Sequence, residues 1–346
     1  MDVTKDATKK AGSELDFVDP HGRRQSWTVH YGPSSDSAGT AVRSRTVTSD
    51  GGRTVVQRWV PAELATRVPA SCDPLENEVR AGVRLAGRFR DAFPTEVVRL
   101  IGYDLDRAEP FLLLSPYRGV AVAEVAGRLG LAEQRQFEVS LFRSLLLLAE
   151  ADIVHAGLTS TAVRWDGKAV QISDFSYAAV VGDPRVARRE SAWASPNQRA
   201  GTGVAEAADD IWAAGMVVLH AVSGRADPLP DLAGRGPALQ NLLRDVFAAD
   251  GAQRPSAADL LRRLDAHTYL PPAADGVQQA FAEGRQVFDR VLTEKWPPTP
   301  TVALLPAPEL PRHRMARGQI ALLVAAVLVV ATGVAVAMAL LFGGSR

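Results

Sequence analysis

Short runs rich in Val, Thr and aromatic residues at 27–31, 40–47 and 53–60, separated by clusters of Gly, Ser and Asp, predict the strands of an antiparallel meander. Helical spacing replaces this alternation at Leu75, Val79, Val83 and Leu85. Two further strand-like runs follow, 96–101 and 111–114, split by a polar turn at 104–109. Beyond Gly119 apolar residues recur at helical intervals over 120–128, 131–152, 208–223, 237–248 and 256–267, with strand signals only near 162–172. The pattern predicts an α+β chain in which a small strand-rich lobe precedes a larger helical one. Residues 1–25 are polar and without periodicity, which predicts a flexible arm. An amphipathic helical extension is predicted over 271–295, and the prolines of 296–318 predict an extended linker.

The last hydrophobic run has no polar face at all. Residues 320–342 contain no charged side chain, and 23 residues at about 1.5 Å each cover roughly 34 Å, enough for a hydrocarbon core of about 30 Å. A transmembrane helix is therefore expected over 319–342. Arg312, His313, Arg314 and Arg317 precede it and Arg346 follows it, so the positive-inside rule places the preceding residues in the cytoplasm and 343–346 outside as a short tail, too short for an external sensor domain. Gly333 and Ala337 form a small-xxx-small pair on which two such helices could dimerise.

Charge changes little in this picture. Lys plus Arg and Asp plus Glu are 39 each, which removes any electrostatic case for a nucleic-acid partner. The polar start of the chain carries no apolar core of a secretory signal. Cys72 is the one cysteine, so no internal disulfide forms, and a packed, idle thiol is expected.

The candidate chemistry lies in short motifs. Val55-Val56-Gln57-Arg58 ends a strand, Glu78 sits in the following helix, and His155-Ala156-Gly157-Leu158-Thr159-Ser160-Thr161-Ala162 precedes Asp174-Phe175-Ser176 and Ser195-Pro196-Asn197. Asp210-Ile211-Trp212-Ala213-Ala214-Gly215 and Arg254-Pro255 come later. In this order and spacing, over about residues 27–267, the motifs resemble those of protein kinases, and the chain looks like a degenerate, membrane-anchored relative of the bacterial serine/threonine kinases. The resemblance implies a bilobal fold, with an N-lobe over 26–118 and a C-lobe over 119–270.

By the same resemblance Arg58 stands where the family has its phosphate-pairing lysine, Glu78 where it has the partnering glutamate, and Asp174 where it has the metal-binding aspartate of D-F-G. These three are the candidate nucleotide and metal residues, for ATP and magnesium. His155, Asp210, Trp212 and Arg254 match structural signatures: the histidine is expected to be packed, Asp210 to bond the backbone of the degenerate loop, and Arg254 to have lost a carboxylate partner at Asn197. Gly157 replaces the catalytic-base aspartate and Ala162 the metal-binding asparagine, with Thr159 between them, so no catalytic residue is intact. Asp152 is the nearest acid, and a solvated or capping role is expected for it.

Phosphoryl transfer needs a phosphate cradle, a lysine, metal ligands and an aspartate to orient the hydroxyl. The cradle should lie between the first two strands, yet residues 32–39 have no G-x-G-x-x-G, Pro33 has no amide hydrogen and Asp36 is an acid. The expected function is a membrane-tethered pseudokinase that acts as a signalling or scaffolding module by binding a cytoplasmic protein, with Thr299 and Thr301 as candidate phosphosites. The alternatives are an atypical active serine/threonine kinase that binds ATP and magnesium, and a nucleotide sensor without transfer.

Overall fold

In β1 (Ser13–Val18) Leu15 and Phe17 alternate with polar neighbours, and the same period of two runs through β2 (Arg24–Asp36), β3 (Arg43–Ser49) and β4 (Thr54–Trp59). The computed structural model describes residues 12–36, 41–225, 230, 232–268, 270, 283 and 286. The chain divides into two units, Met1–Phe281 and Ala282–Arg346, and everything below belongs to the first. With β5 (Leu100–Asp104) and β6 (Phe111–Leu114) the strands close a barrel in the order β1-β2-β3-β4-β6-β5. Leu15, Phe17, Val29, Val47, Val55, Trp59, Phe111 and Leu113 fill its interior.

This corrects the expectation of an arm over residues 1–25 from Ser13 onward, while residues 1–11 lie outside the described residues. The polar neighbours of Leu15 and Phe17 conceal a real strand, which pairs along its whole length with β2 from Ser13↔Val29 to Val18↔Arg24. Val18↔Tyr103 then closes the ring to β5. A single apolar pair per strand reads as loop in one dimension, and only the barrel supplies its buried face.

After α1 (Ala62–Arg67) and a 3₁₀ turn, α2 (Asp73–Phe89) packs Leu75, Val79, Leu85 and Phe89 against the outer face of the sheet. It comes so close that a Cβ on Gly82 would stand 2.6 Å from the Leu100 Cβ, so only glycine fits there. Cys72, before α2, is partly buried against this core, and burial raises its thiol pKa.

The second half is mostly helical. Strand β7 (Val120–Ala121) leads into α3 (Val122–Val125), shorter than the helix predicted over 120–128. Next come α4 (Leu131–Glu150), β8 (Ile153–Val154), β9 (Val163–Trp165), β10 (Val170–Ile172) and β11 (Ala179–Val180). The last described helices are α5 (Pro196–Ala200), α6 (Ala207–Ser223), α7 (Pro237–Leu242) and α8 (Ala257–Arg263). Buried residues of α4, α6 and α8 share one core cluster, and Phe137 meets Trp165 of β9 edge to face at 5.6 Å.

No helix among the described residues is long and apolar enough to cross a membrane. The predicted span at 319–342 lies outside the described residues, as do the linker, Thr299 and Thr301, and all but Glu283 and Gln286 of the predicted extension.

Candidate functional site

Arg58 lies on the outer face of β4, opposite Leu112 of β6, and points to α2 and the helical lobe. Its Nη1 donates to Glu78 Oε2 at 2.6 Å and to Asp174 Oδ1 at 3.0 Å, and its Nη2 donates to Ser176 Oγ at 3.2 Å. Ser176 Oγ in turn donates to Asp174 Oδ1 at 2.5 Å. Motifs more than a hundred residues apart in the chain thus meet around one guanidinium. Burial opposes the charge of Arg58, and Glu78 and Asp174 overcome it, so its pKa is raised.

Glu78 is 2% exposed, and burial pushes its carboxyl up to about 7 against the pull of Arg58. The Phe175 amide donates to its second oxygen at 3.4 Å. Asp174 has a left-handed backbone, φ 61°, and a half-exposed side chain. Burial would raise its pKa, but Arg58 and Ser176 hold it below the usual carboxylate range. Tyr117, just after β6, feels the same charges: burial and then Glu78 raise its phenol above the ordinary value. No motif pointed to Tyr117, and Ser176 stood in the sequence only as the letter that replaces the glycine of D-F-G.

His155 is fully buried, which lowers its pKa, and its ring is tilted over Phe175 at 4.8 Å. Gly157 N donates to its Nδ1 at 3.3 Å, which leaves Nε2 to donate to the Ser173 carbonyl at 3.0 Å. Asp210 accepts the His155 and Ala156 amides at 2.6 and 2.9 Å. It thereby holds Ala156 at φ 54°, a strained value for a residue with a Cβ.

Position 157 is crowded. A Cβ on Gly157 would stand 2.8 Å from Tyr177 Cδ2 and 3.0 Å from Arg188 Nη1. The Arg188 guanidinium stacks on the Tyr177 ring at 3.5 Å and donates to the Ala156 carbonyl at 3.1 Å. Thr159 spends its hydroxyl on Thr161 at 2.8 Å and on the Ala162 amide at 3.2 Å. Ala162 is buried, and its carbonyl accepts from Ser173. Asp152 is not merely solvated: Arg84 Nη2 donates to its Oδ2 at 2.6 Å.

The cradle expected between the first two strands falls between β2 and β3 because β1 precedes them. Ser34, Ser35 and Asp36 pair with Arg45, Ser44 and Arg43, and the register shifts between Tyr31 and Ser34, around Pro33. A proline has no amide for the ladder, so the strand bulges there.

Ser195 caps α5: its Oγ accepts from Gln198 N at 3.2 Å and donates to Asp209 Oδ1 at 2.9 Å. Arg254 donates to Asn197 Oδ1 at 3.3 Å and lies 3.8 Å from Asp209, so a neighbouring acid faces it where Asn197 carries no charge. Trp212 packs edge to face on Phe247 at 5.3 Å, with Arg254 over its ring.

No family model matches this chain, and no curated protein matches it. Among solved structures, the kinase PK-1 of Cydia pomonella granulovirus superposes with a TM-score of 0.53 at 15% identity, covering 68% of this chain and 93% of that one. The chain therefore has a protein kinase-like fold, with a strand-rich first part and a helical second part.

Proposed function

We propose that this protein is a pseudokinase that works by binding a cytoplasmic protein partner, tethered to the membrane by residues 319–342. The observation that carries the reading is position 157, where the Tyr177 ring and the Arg188 guanidinium stand within 3.0 Å of any added Cβ. A base there is absent, and the half-exposed Tyr177 ring and the Arg188 guanidinium lie over its place.

The rest of the cleft agrees. Arg58 spends three hydrogen bonds inside the protein, on Glu78, Asp174 and Ser176. Position 162 is a buried methyl. Of the segment 32–39 where a phosphate cradle would lie, Ser34, Ser35 and Asp36 are paired with β3, and 37–39 lie outside the described residues. These residues do not fit a magnesium nucleotide. The retained Arg58–Glu78 pair with Asp174 beside it favours the second reading, an atypical serine/threonine kinase.

Calorimetric titration of the full chain in detergent with magnesium ATP separates the readings. No heat at millimolar nucleotide is the expected result. Micromolar binding with transfer of the γ-phosphate to protein, lost in Asp174→Ala, would establish the kinase instead; micromolar binding without transfer would establish a nucleotide sensor. Gly157→Asp is expected to restore no transfer and to cost about 1–3 kcal/mol by overpacking, read by urea denaturation.

A further inference from the structure

Helix α2 carries Asn77, Arg80, Arg84 and Arg88 at intervals of three or four residues, one stripe along its surface. Every member of the stripe donates into the helical lobe. Asn77 Nδ2 reaches the Ser176 carbonyl at 3.0 Å, and Arg80 Nη2 reaches the Ala178 carbonyl at 3.3 Å with its Nη1 3.5 Å from Asp183. Arg84 Nε donates to the Ala151 carbonyl and its Nη2 to Asp152, both at 2.6 Å. Arg88 donates to the Glu150 carbonyl at 3.3 Å and to the Glu150 carboxylate at 3.2 Å.

Where the last two grip is informative. Glu150 is the final residue of α4 and Ala151 its cap, so their carbonyls have no partner in the helix and lie at its negative end. A cation is favoured there, and α2 supplies two. The Arg84 and Arg88 side chains are only 14% and 8% exposed, so water competes weakly for these bonds. With Arg58, which ties β4 and Glu78 to Asp174, the small lobe is joined to the large one along the whole helix.

We propose that this stripe is an interlobe bolt that caps α4 from the other lobe and holds α2 in one position. Kinases are switched by repositioning the equivalent helix. A helix whose outer face is spent on the large lobe does not swing, and the surface formed by α2 and residues 176–188 is a constant shape. The inference stands on these contacts and not on the proposed loss of catalysis.

Amide hydrogen exchange on the full-length protein tests it. In the wild type, peptides from 73–89 are expected to exchange as slowly as those of α6 and to be unchanged by magnesium ATP. Arg84→Met combined with Arg88→Met is expected to speed exchange in 73–89 at least tenfold while β3, β4 and α6 stay protected. If that variant fails to fold, Asp152→Asn, which removes the negative charge that Arg84 meets, is expected to speed the same peptides by a smaller factor. Fast exchange of 73–89 in the wild type, or variants that leave it unchanged, would overturn the bolt.

Discussion

Asp210 shows how a single side chain does structural work that a motif comparison only hints at. Its two oxygens accept the His155 and Ala156 amides, and burial pushes it up to about 7. A carboxyl raised on folding binds more protons in the folded state. Its contribution is therefore full below the unfolded value of about 4 and is lost as pH rises toward about 7. Glu78 is raised in the same direction and over the same window. Urea denaturation at steps from pH 4.5 to 8 is expected to show stability falling across that window from these two groups. Asp210→Asn is expected to flatten part of that slope and to cost about 1–3 kcal/mol, because one amide loses its acceptor. The positions of Arg58, Glu78, Asp174, His155 and Asp210 were all legible as motif letters. Tyr177, Arg188 and Tyr117 were not, because each acts through a neighbour distant in sequence or through an aromatic face that no spacing encodes.

At the scale of elements, length decided what could be read. Helices α2, α4 and α6 carry several turns of apolar periodicity and fall where the spacing places them. The two-residue strands β8 and β11, paired as Ile153↔Val180 and Val154↔Ala179, are too short for any period and exist because the lobe brings them together. β1 is the instructive case. Leu15 and Phe17 are 2% and 3% exposed inside the barrel, and Phe17 meets Trp27 edge to face at 4.9 Å. Phe17→Ala is expected to destabilise the protein by about 3–5 kcal/mol and to shift tryptophan emission to the red. A change under about 0.5 kcal/mol, the scale of a surface substitution, would mean that the strand adds nothing to the barrel.

For the whole molecule, the kinase-like fold is what the comparison shows, and the proposed role of binding at a membrane face rests on the hydrophobic run at 320–342, which fractionation tests. A chain ending at residue 295 keeps the unit that holds the barrel and the helical lobe, so it is expected to fold and remain in the supernatant, while the full chain pellets with membranes. Recovery of the full chain in the supernatant would refute the anchor. The sequence by itself determined the long helices, the succession of a strand-rich part and a helical part, the spacing of the kinase-like motifs and the missing side chains at 157 and 162, because each is a local pattern or a letter at a position. Only the tertiary structure decided that β1 closes a barrel, that Asp209 faces Arg254, that Tyr177 and Arg188 lie over the place of the missing base, and that an arginine stripe joins the lobes. Those outcomes depend on which surfaces meet after the chain has closed loops of tens to more than a hundred residues, and a one-dimensional pattern carries no record of what lies across the gap.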